Sequence, residues 1–329
     1  MNDRHLPDEF DLIARYFAPL TKGFPGAFAL GDDAAVIHPE PGRDIVATAD
    51  TMVAGIHFFN SDPPAFIARK LLRVNLSDLA AMGARPRYYL LTLALPKDTD
   101  AEWVAAFAAG LAEDQEFYGI TLAGGDTVAT SGPATLTLAA LGDVSAGKAL
   151  RRSGAQKGDR IYVTGTLGDG ALGLAVLQGG LAHLSKAHAT HLIDRYHLPR
   201  PRLAIGRKLI DFAHAAIDIS DGLIADLGHV ATQSGVGATV EAARLPLSAA
   251  VTAALEKDSD LLVTVLGGGD DYELLFTIAQ GKEEQLAALA EDEAVKITCI
   301  GRIEAMGGVR VLDAQGAEIP LKSTGFRHF

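Results

Sequence analysis

Acidic residues in this chain gather beside glycines at the ends of apolar runs: Gly31-Asp32-Asp33, Gly124-Gly125-Asp126, Asp218-Ile219-Ser220-Asp221-Gly222 and Gly267-Gly268-Gly269-Asp270-Asp271. An aspartate beside buried strands is costly unless it is paired or metal-bound. No run of Lys or Arg stands next to most of these clusters, so divalent metal is the natural counterion. Glycines at the same points allow tight turns and close approach of backbone to a ligand, which suggests metal ions carrying phosphates.

Between the clusters, strand-like runs alternate with helical stretches. Phe10, Leu12-Ile13, Tyr16-Phe17 and Leu20 recur at helical spacing until Gly23, Pro25 and Gly26 stop the pattern. Short β-like runs at 34–37, 44–49, 88–95 and 135–141 are separated by alanine-rich helical stretches at 64–83 and 100–118, an α/β or α+β arrangement. The pattern breaks between Gly142 and Gly158, and a boundary at 147–150 divides the chain into domains 1–148 and 149–329. Beyond it, strands are expected at 160–164, 215–219, 260–266 and 272–278, and helices at 170–177, 201–212 and 223–231. A length of 329 residues also favours two domains over one core.

The formal charge of −12 argues against a nucleic-acid binder, since such affinity rests on clustered Lys and Arg. If phosphates are bound, cations must help. Cys299 is the only cysteine, which excludes an intrachain disulfide and a cysteine zinc cluster and fits a reducing cytoplasm. The first ten residues carry acids and a proline where a secretory signal needs a basic start and an apolar core, and no apolar stretch approaches a membrane span.

Helix 70–82 has polarity out of place. Lys70, Arg73 and Ser77 share one face, whereas Asn75 and Asp78 lie at i, i+3 on a flank otherwise made by Leu71 and Met82. That spacing reads either as a buried Asn-Asp pair or as metal ligation. In Asp218-Ile219-Ser220-Asp221-Gly222, Ser220 or Asp221 could cap the following helix. Strand alternation also puts Asp218 and Ser220 on one side, with Asp221 at the helix entrance where phosphate or metal would collect. Three glycines followed by Asp270-Asp271 exceed what a hairpin turn needs. Gly168-Asp169-Gly170-Ala171-Leu172-Gly173 fits a dinucleotide fingerprint but lacks the βαβ context and reads as a tight strand-to-helix turn. No P-loop or protein-kinase signature occurs. His183, His188 and His191 read as exposed histidines on an amphipathic helix, whereas His57 follows a strand end near the first acidic group.

Taken in order, Gly31-Asp32-Asp33-Ala34-Ala35, the segment from Thr48 to Phe58, the segment from Val74 to Ala84, Gly124-Gly125-Asp126-Thr127, Arg152-Ser153-Gly154, Asp218 to Leu223 and Gly268 to Leu274 resemble the thiamine-monophosphate kinases, from Phe10 to Phe329. The resemblance implies a two-domain aminoimidazole ribonucleotide synthetase-like fold. Its N-terminal α/β domain would form a β-barrel across a homodimer, followed by a C-terminal α+β domain. It implies transfer of the ATP γ-phosphate to thiamine monophosphate. Carried over by motif, Asp32, Thr48, Ala49, Asp50, Asp78, Asp126, Asp218 and Asp221 would hold several Mg2+ ions. Gly125, Asp126, Arg152 and Ser220 would contact ATP, and His57, Asp270 and Phe326 would lie near thiamine monophosphate. Asp50, Asp78, Asp126 and Arg152 form the implied catalytic set. Three positions depart from the usual family residue. Ala49 stands where a hydroxyl residue is common, so a metal contact there must use its carbonyl. Asp270 replaces a frequent Glu, and Phe326 a larger polar aromatic.

Related activities fit less well. A selenophosphate synthetase would carry a reactive Cys and Lys in an N-terminal glycine-rich loop, and a hydrogenase maturation protein of this fold would end in cysteine rather than Phe329. Aminoimidazole ribonucleotide synthetase is disfavoured by the segments around His57 and Asp270. A catalytically silent nucleotide and metal sensor is the alternative from another class.

Overall fold

The structure is a computed structural model that describes residues 9–320, so Phe326 lies outside the described residues. These residues fall into two units, one from 9 to 79 and 84 to 147, the other from 80 to 83 and 148 to 320. In the first unit, α1 (Glu9–Leu12) continues into a π turn over Ile13–Phe17 and a 3₁₀ turn over Ala18–Thr21, a helical segment of mixed pitch. Then follow β1 (Arg43–Val53), α2 (Pro64–Ala81), β2 (Arg85–Pro96), α3 (Ala101–Tyr118), β3 (Thr121–Thr130) and β4 (Thr135–Ser145). The expected strand at 34–37 is irregular chain, and β3 is a strand that its glycines had hidden.

The boundaries of α3 show local chemistry at work. Asp100 accepts a hydrogen bond from the Trp103 N–H at 2.7 Å, and the helix stops at Gly119, whose φ of 66° suits glycine. The four strands lie in the order β1-β4-β2-β3, with β4 antiparallel to β1 and β2, and β3 parallel to β2. Alternation buries Leu91, Leu93 and Leu95 on β2 and Leu136, Leu138 and Ala140 on β4, which form the interior with Leu72 and Leu76 of α2 and Phe107 and Leu111 of α3. At one end of the sheet, the Asp143 carboxylate on β4 accepts from Arg43 on β1 and from Arg85 and Arg87 on β2, at 2.7 to 3.2 Å.

The other sheet face leaves Ile45, Leu90 and Val128 between 42% and 48% exposed. Among the described residues this sheet is open; the barrel implied by the resemblance is one shared between two chains. Strands β1 and β3 are each paired on one side only, and four strands are too few to close where small barrels use about eight.

The second unit contains β5 (Arg160–Thr164), α4 (Asp169–Leu177), α5 (Lys186–His197), α6 (Leu203–Leu209), β6 (Ala213–Asp218), α7 (Leu223–Ser234), β7 (Gly237–Glu241), α8 (Ala249–Leu255), α9 (Leu261–Gly267), β8 (Leu274–Ile278), α10 (Glu283–Asp292), β9 (Ile297–Glu304) and β10 (Val309–Leu312). Its sheet order is β10-β7-β9-β5-β8-β6, antiparallel except for the β10–β7 pair. One core joins Ile161, Val163 and Ile217 to Leu223, Leu227 and Val230 of α7; another joins Tyr162 and Phe276 to Ile205 and Leu209 of α6 and Leu286 and Leu289 of α10. The sheet is therefore covered on both faces. Segment 260–266, expected as a strand from its β-branched residues, is helix α9. Packing of Val265 with Leu172, Leu192 and Val251 outweighs the local propensity. Among the described residues, no helix is long and apolar enough to cross a membrane.

Candidate active site

Alternation along β1 places Thr48 and Asp50 on the side that buries Val46 and Met52, while Ala49 faces the opposite, exposed side. The Thr48 hydroxyl donates to the Asp78 carboxylate of α2. Burial, and then the Asp78 charge, push the Asp50 carboxyl up to about 7. No cationic side chain is among the groups acting on Asp50. Thr48, Asp50 and Asp78 thus present hard oxygen donors close to one another, a donor set that fits a divalent cation such as Mg2+. Asn75 does not pair with Asp78: its amide donates to the Leu71 carbonyl at 2.9 Å, and its buried Oδ1 has no partner.

Asp32 and Asp126 both line a pocket elsewhere in the same unit, of about 540 Å³, whose walls include Phe17, Leu30, Leu90 and Leu122. Asp126 sits on β3 opposite Thr92 of β2. Gly125 is required by the sheet itself, because a Cβ there would run into the backbone of Leu91. His57 ends the turn after β1, where its Nδ1 accepts from the Val53 N–H at 3.0 Å.

In the second unit, the segment after β6 pairs with the loop before β8. The Asp270 N–H donates to the Ser220 carbonyl at 2.9 Å, the Tyr272 N–H to the Ile219 carbonyl at 2.8 Å, and the Ile219 N–H to the Glu273 carbonyl at 2.8 Å. These bonds bring Asp218, Ser220, Asp221 and Asp270 into one region. The expected cap of α7 is neither Ser220 nor Asp221. Asp226, inside the helix, accepts from the backbone N–H groups of both, at 3.0 and 3.1 Å. Burial, then the Asp221 charge, raise the Asp226 carboxyl to about 7, opposed by those two amides and by the Arg152 charge. Arg152 therefore acts at the same place. Its neighbour Arg151 is laid along β6 through a bond from the Ala216 N–H to its carbonyl at 2.9 Å.

Two buried acids of the Asp270-to-Glu273 segment escaped the sequence reading. Asp271 is 2% exposed and accepts from the N–H groups of Gly168 and Gly170 at 2.7 and 3.2 Å. Burial pushes its carboxyl up to about 8 against the pull of those amides. Glu273 is wholly buried and is held by Arg195, Arg202 and Thr164. The period of two in Asp270-Asp271-Tyr272-Glu273 was the available signal, since it separates the buried pair from the half-buried one. Of the three histidines expected to be exposed on one helix, His183 is exposed but lies in a turn before α5, His188 is half-buried, and His191 is exposed and lies 3.4 Å from Asp169.

Among the described residues, no three His, Cys, Asp or Glu side chains gather closely enough to hold a metal by themselves. Mg2+ keeps waters and substrate phosphates in its shell and takes one or two protein carboxylates, so the Asp50–Asp78 pair is sufficient for it.

Residues 31–144 match the AIR synthase related protein N-terminal domain, and residues 156–314 its C-terminal domain. The thiamine-monophosphate kinase of Salmonella typhimurium is 43% identical over 326 residues, covering 98% of each chain, and that of Escherichia coli K12 is 42% identical, also covering 98% of each. The crystal structure of the thiamine-monophosphate kinase from Stenotrophomonas maltophilia has a TM-score of 0.80 at 45% identity, covering 86% of this chain and 89% of that one. AaThiL complexed with AMPPCP and TMP has a TM-score of 0.78 at 32% identity, covering 91% of each. A hydrogenase maturation protein, HypE, in complex with ATP shares the fold, with a TM-score of 0.79 at 20% identity, covering 97% of this chain and 95% of that one.

Proposed function

Given that the chain belongs to the thiamine-monophosphate kinase family, we propose that it transfers the γ-phosphoryl group of ATP directly to thiamine monophosphate, forming thiamine diphosphate by in-line attack. The observation that carries this reading is the Thr48, Asp50 and Asp78 grouping, in which adjacent carboxylates meet without a cationic side chain acting on Asp50.

The acceptor is a phosphate monoester whose second pKa lies near about 6, so its attacking oxygen is ionised at neutral pH and needs no general base. The demand on the protein is to bring two polyanions together in line, through positioning and charge neutralisation. Asp32, Thr48, Asp50, Asp78 and Asp126 of the first unit, with the Ala49 carbonyl, and Asp218 and Asp221 of the second would hold Mg2+ ions. When bound, Mg2+ supplies the positive charge that an acidic chain lacks. Gly125 and Asp126 of the first unit would contact ATP, and Ser220 of the second is the residue the resemblance implies for the same ligand. Arg152 braces its phosphates through the planar guanidinium fork. His57 and Asp270 would lie near thiamine monophosphate; Phe326, the third residue implied there, lies outside the described residues.

The reaction would take place in the cytoplasm, in a homodimer. The exposed apolar face bearing Ile45, Leu90 and Val128 supports pairing of two four-stranded sheets into one barrel. Incubation with ATP, Mg2+ and thiamine monophosphate should give thiamine diphosphate. Absence of product at every Mg2+ concentration, with ATP still bound, would overturn the kinase assignment.

A further inference from the structure

Two residues of the Asp270 loop hold backbone conformations that side chains resist. Asp270 has φ of 68° and Tyr272 φ of 52°, both in the left-handed region and neither a glycine. Such residues persist only where their surroundings over-determine them. Here the surroundings are identifiable. Asp271, between the two, turns inward and accepts from the N–H groups of Gly168 and Gly170, where helix α4 begins. Gly170 is the second residue of that helix, and a Cβ on it would strike the Asp270 carbonyl group and approach the Asp270 Cβ to 2.9 Å. Glycine is the poorest helix former after proline, so its use inside α4 has a packing reason. On the outer side, the Tyr272 hydroxyl donates to the Asp270 carboxylate at 3.1 Å.

The sequence Gly168-Asp169-Gly170-Ala171-Leu172-Gly173 gains a purpose from this arrangement. Gly168 has φ of 83°. Gly170 is the seat for the Asp270 backbone, and Gly173 admits the Leu192 carbonyl of α5. The dinucleotide-like spacing therefore serves contacts within the protein, and the N-terminal amides that would face a pyrophosphate face a carboxylate of the chain itself.

We propose that Asp271 and its seat at Gly170 are positioning elements for the acceptor: they fix the Asp270 loop in its left-handed form so that Asp270 meets thiamine monophosphate. This rests on the reading that places Asp270 at the acceptor. Neither Asp271 nor Gly170 touches the reacting groups, so their loss acts through the placement of Asp270.

The test compares Asp271→Asn, Gly170→Ala and Asp270→Ala by steady-state kinetics, with folding followed by circular dichroism. Asp271→Asn and Gly170→Ala should each raise KM for thiamine monophosphate tenfold or more, while KM for ATP stays within twofold. A merely structural role lowers the active fraction and hence kcat, leaving both KM values in place. If Asp270→Ala raises KM for the acceptor while the folded Asp271→Asn and Gly170→Ala variants do not, the positioning proposal is overturned and the reading of Asp270 stands. If Asp270→Ala leaves that KM unchanged, the reading of Asp270 falls and takes the proposal with it. Should Asp271→Asn fail to fold, Gly170→Ala decides, because it keeps every polar group and its closest intrusion is on the Asp270 backbone, the segment whose placement is tested.

Discussion

Replacement of Glu273 by glutamine measures how far the second unit depends on one buried charge. The carboxylate accepts from Arg195 Nη2 at 2.9 Å, Arg202 Nε at 2.6 Å, Arg202 Nη2 at 2.5 Å and Thr164 Oγ1 at 2.6 Å. Glu273→Gln keeps the size but removes the charge, and one acceptor oxygen becomes a donor facing other donors. Arg195, only 4% exposed, is then left opposite a neutral amide. Breaking a buried pair on one side costs about 3–5 kcal/mol. Counting bonds leads to the same range: about two of the four are lost, each worth about 1.5–3 kcal/mol when charged. For a domain of this size the melting temperature should fall by about 10 °C. Urea unfolding followed by far-UV circular dichroism reads the loss as a lower midpoint at constant m. A loss below about 1 kcal/mol, the range of a solvent-exposed pair, would refute the reasoning.

Asp78→Asn should lower kcat by about 10²–10³-fold, as for loss of an electrostatic stabiliser, with little change in the melting curve; wild-type activity would remove Asp78 from the metal site. Gly125→Ala should cost about 1–3 kcal/mol in urea unfolding, because the new Cβ overlaps the Leu91 backbone; unchanged stability would mean the two strands can part without penalty. Asp50 and Asp226 at about 7 and Asp271 at about 8 all lie above their unfolded value of 3.8. The folded state therefore binds more protons, and stability of the metal-free protein should fall as pH rises through that window, seen in melting curves at pH 5 and pH 9. Added Mg2+ should flatten the fall. Leu90→Glu, on the exposed sheet face, should yield a monomer by light scattering if two sheets pair there.

The sequence carried most of the frame, because long helices and alternating strands announce themselves by period. The two helices covering the first sheet and strand β5 are examples. Elements decided by contact were harder to read. Strand β3 looks like a glycine-rich loop until Leu91 is seen against Gly125, and α9 looks like a strand because its β-branched run is packed by residues far away in sequence. In the site, helical spacing singled out Asp78, whereas Thr48 and Asp50 were implied only by the family resemblance; the structure bonds Thr48 to Asp78 and sets Asp50 within reach of the Asp78 charge. Spacing could not distribute the acids between Asp270 and Glu273, since the partners Gly168, Arg195 and Arg202 lie about a hundred residues or fewer upstream and carry no motif of their own.

The knot of Arg43, Arg85 and Arg87 on Asp143 holds three strands at one end of the first sheet. A slip of one residue between β1 and β4 would turn Thr48 and Asp50 away from Asp78 and bring Ala47 and Ala49 to face it. Asp143 is paired in register with Ile45, only a few residues from Thr48, so a shift that broke the knot would also misplace Thr48 and Asp50. The knot thus acts as a spelling check on the site: chains that assemble the sheet out of frame lose these ion pairs before any substrate arrives. Errors in assembly and errors in chemistry are penalised by the same four side chains.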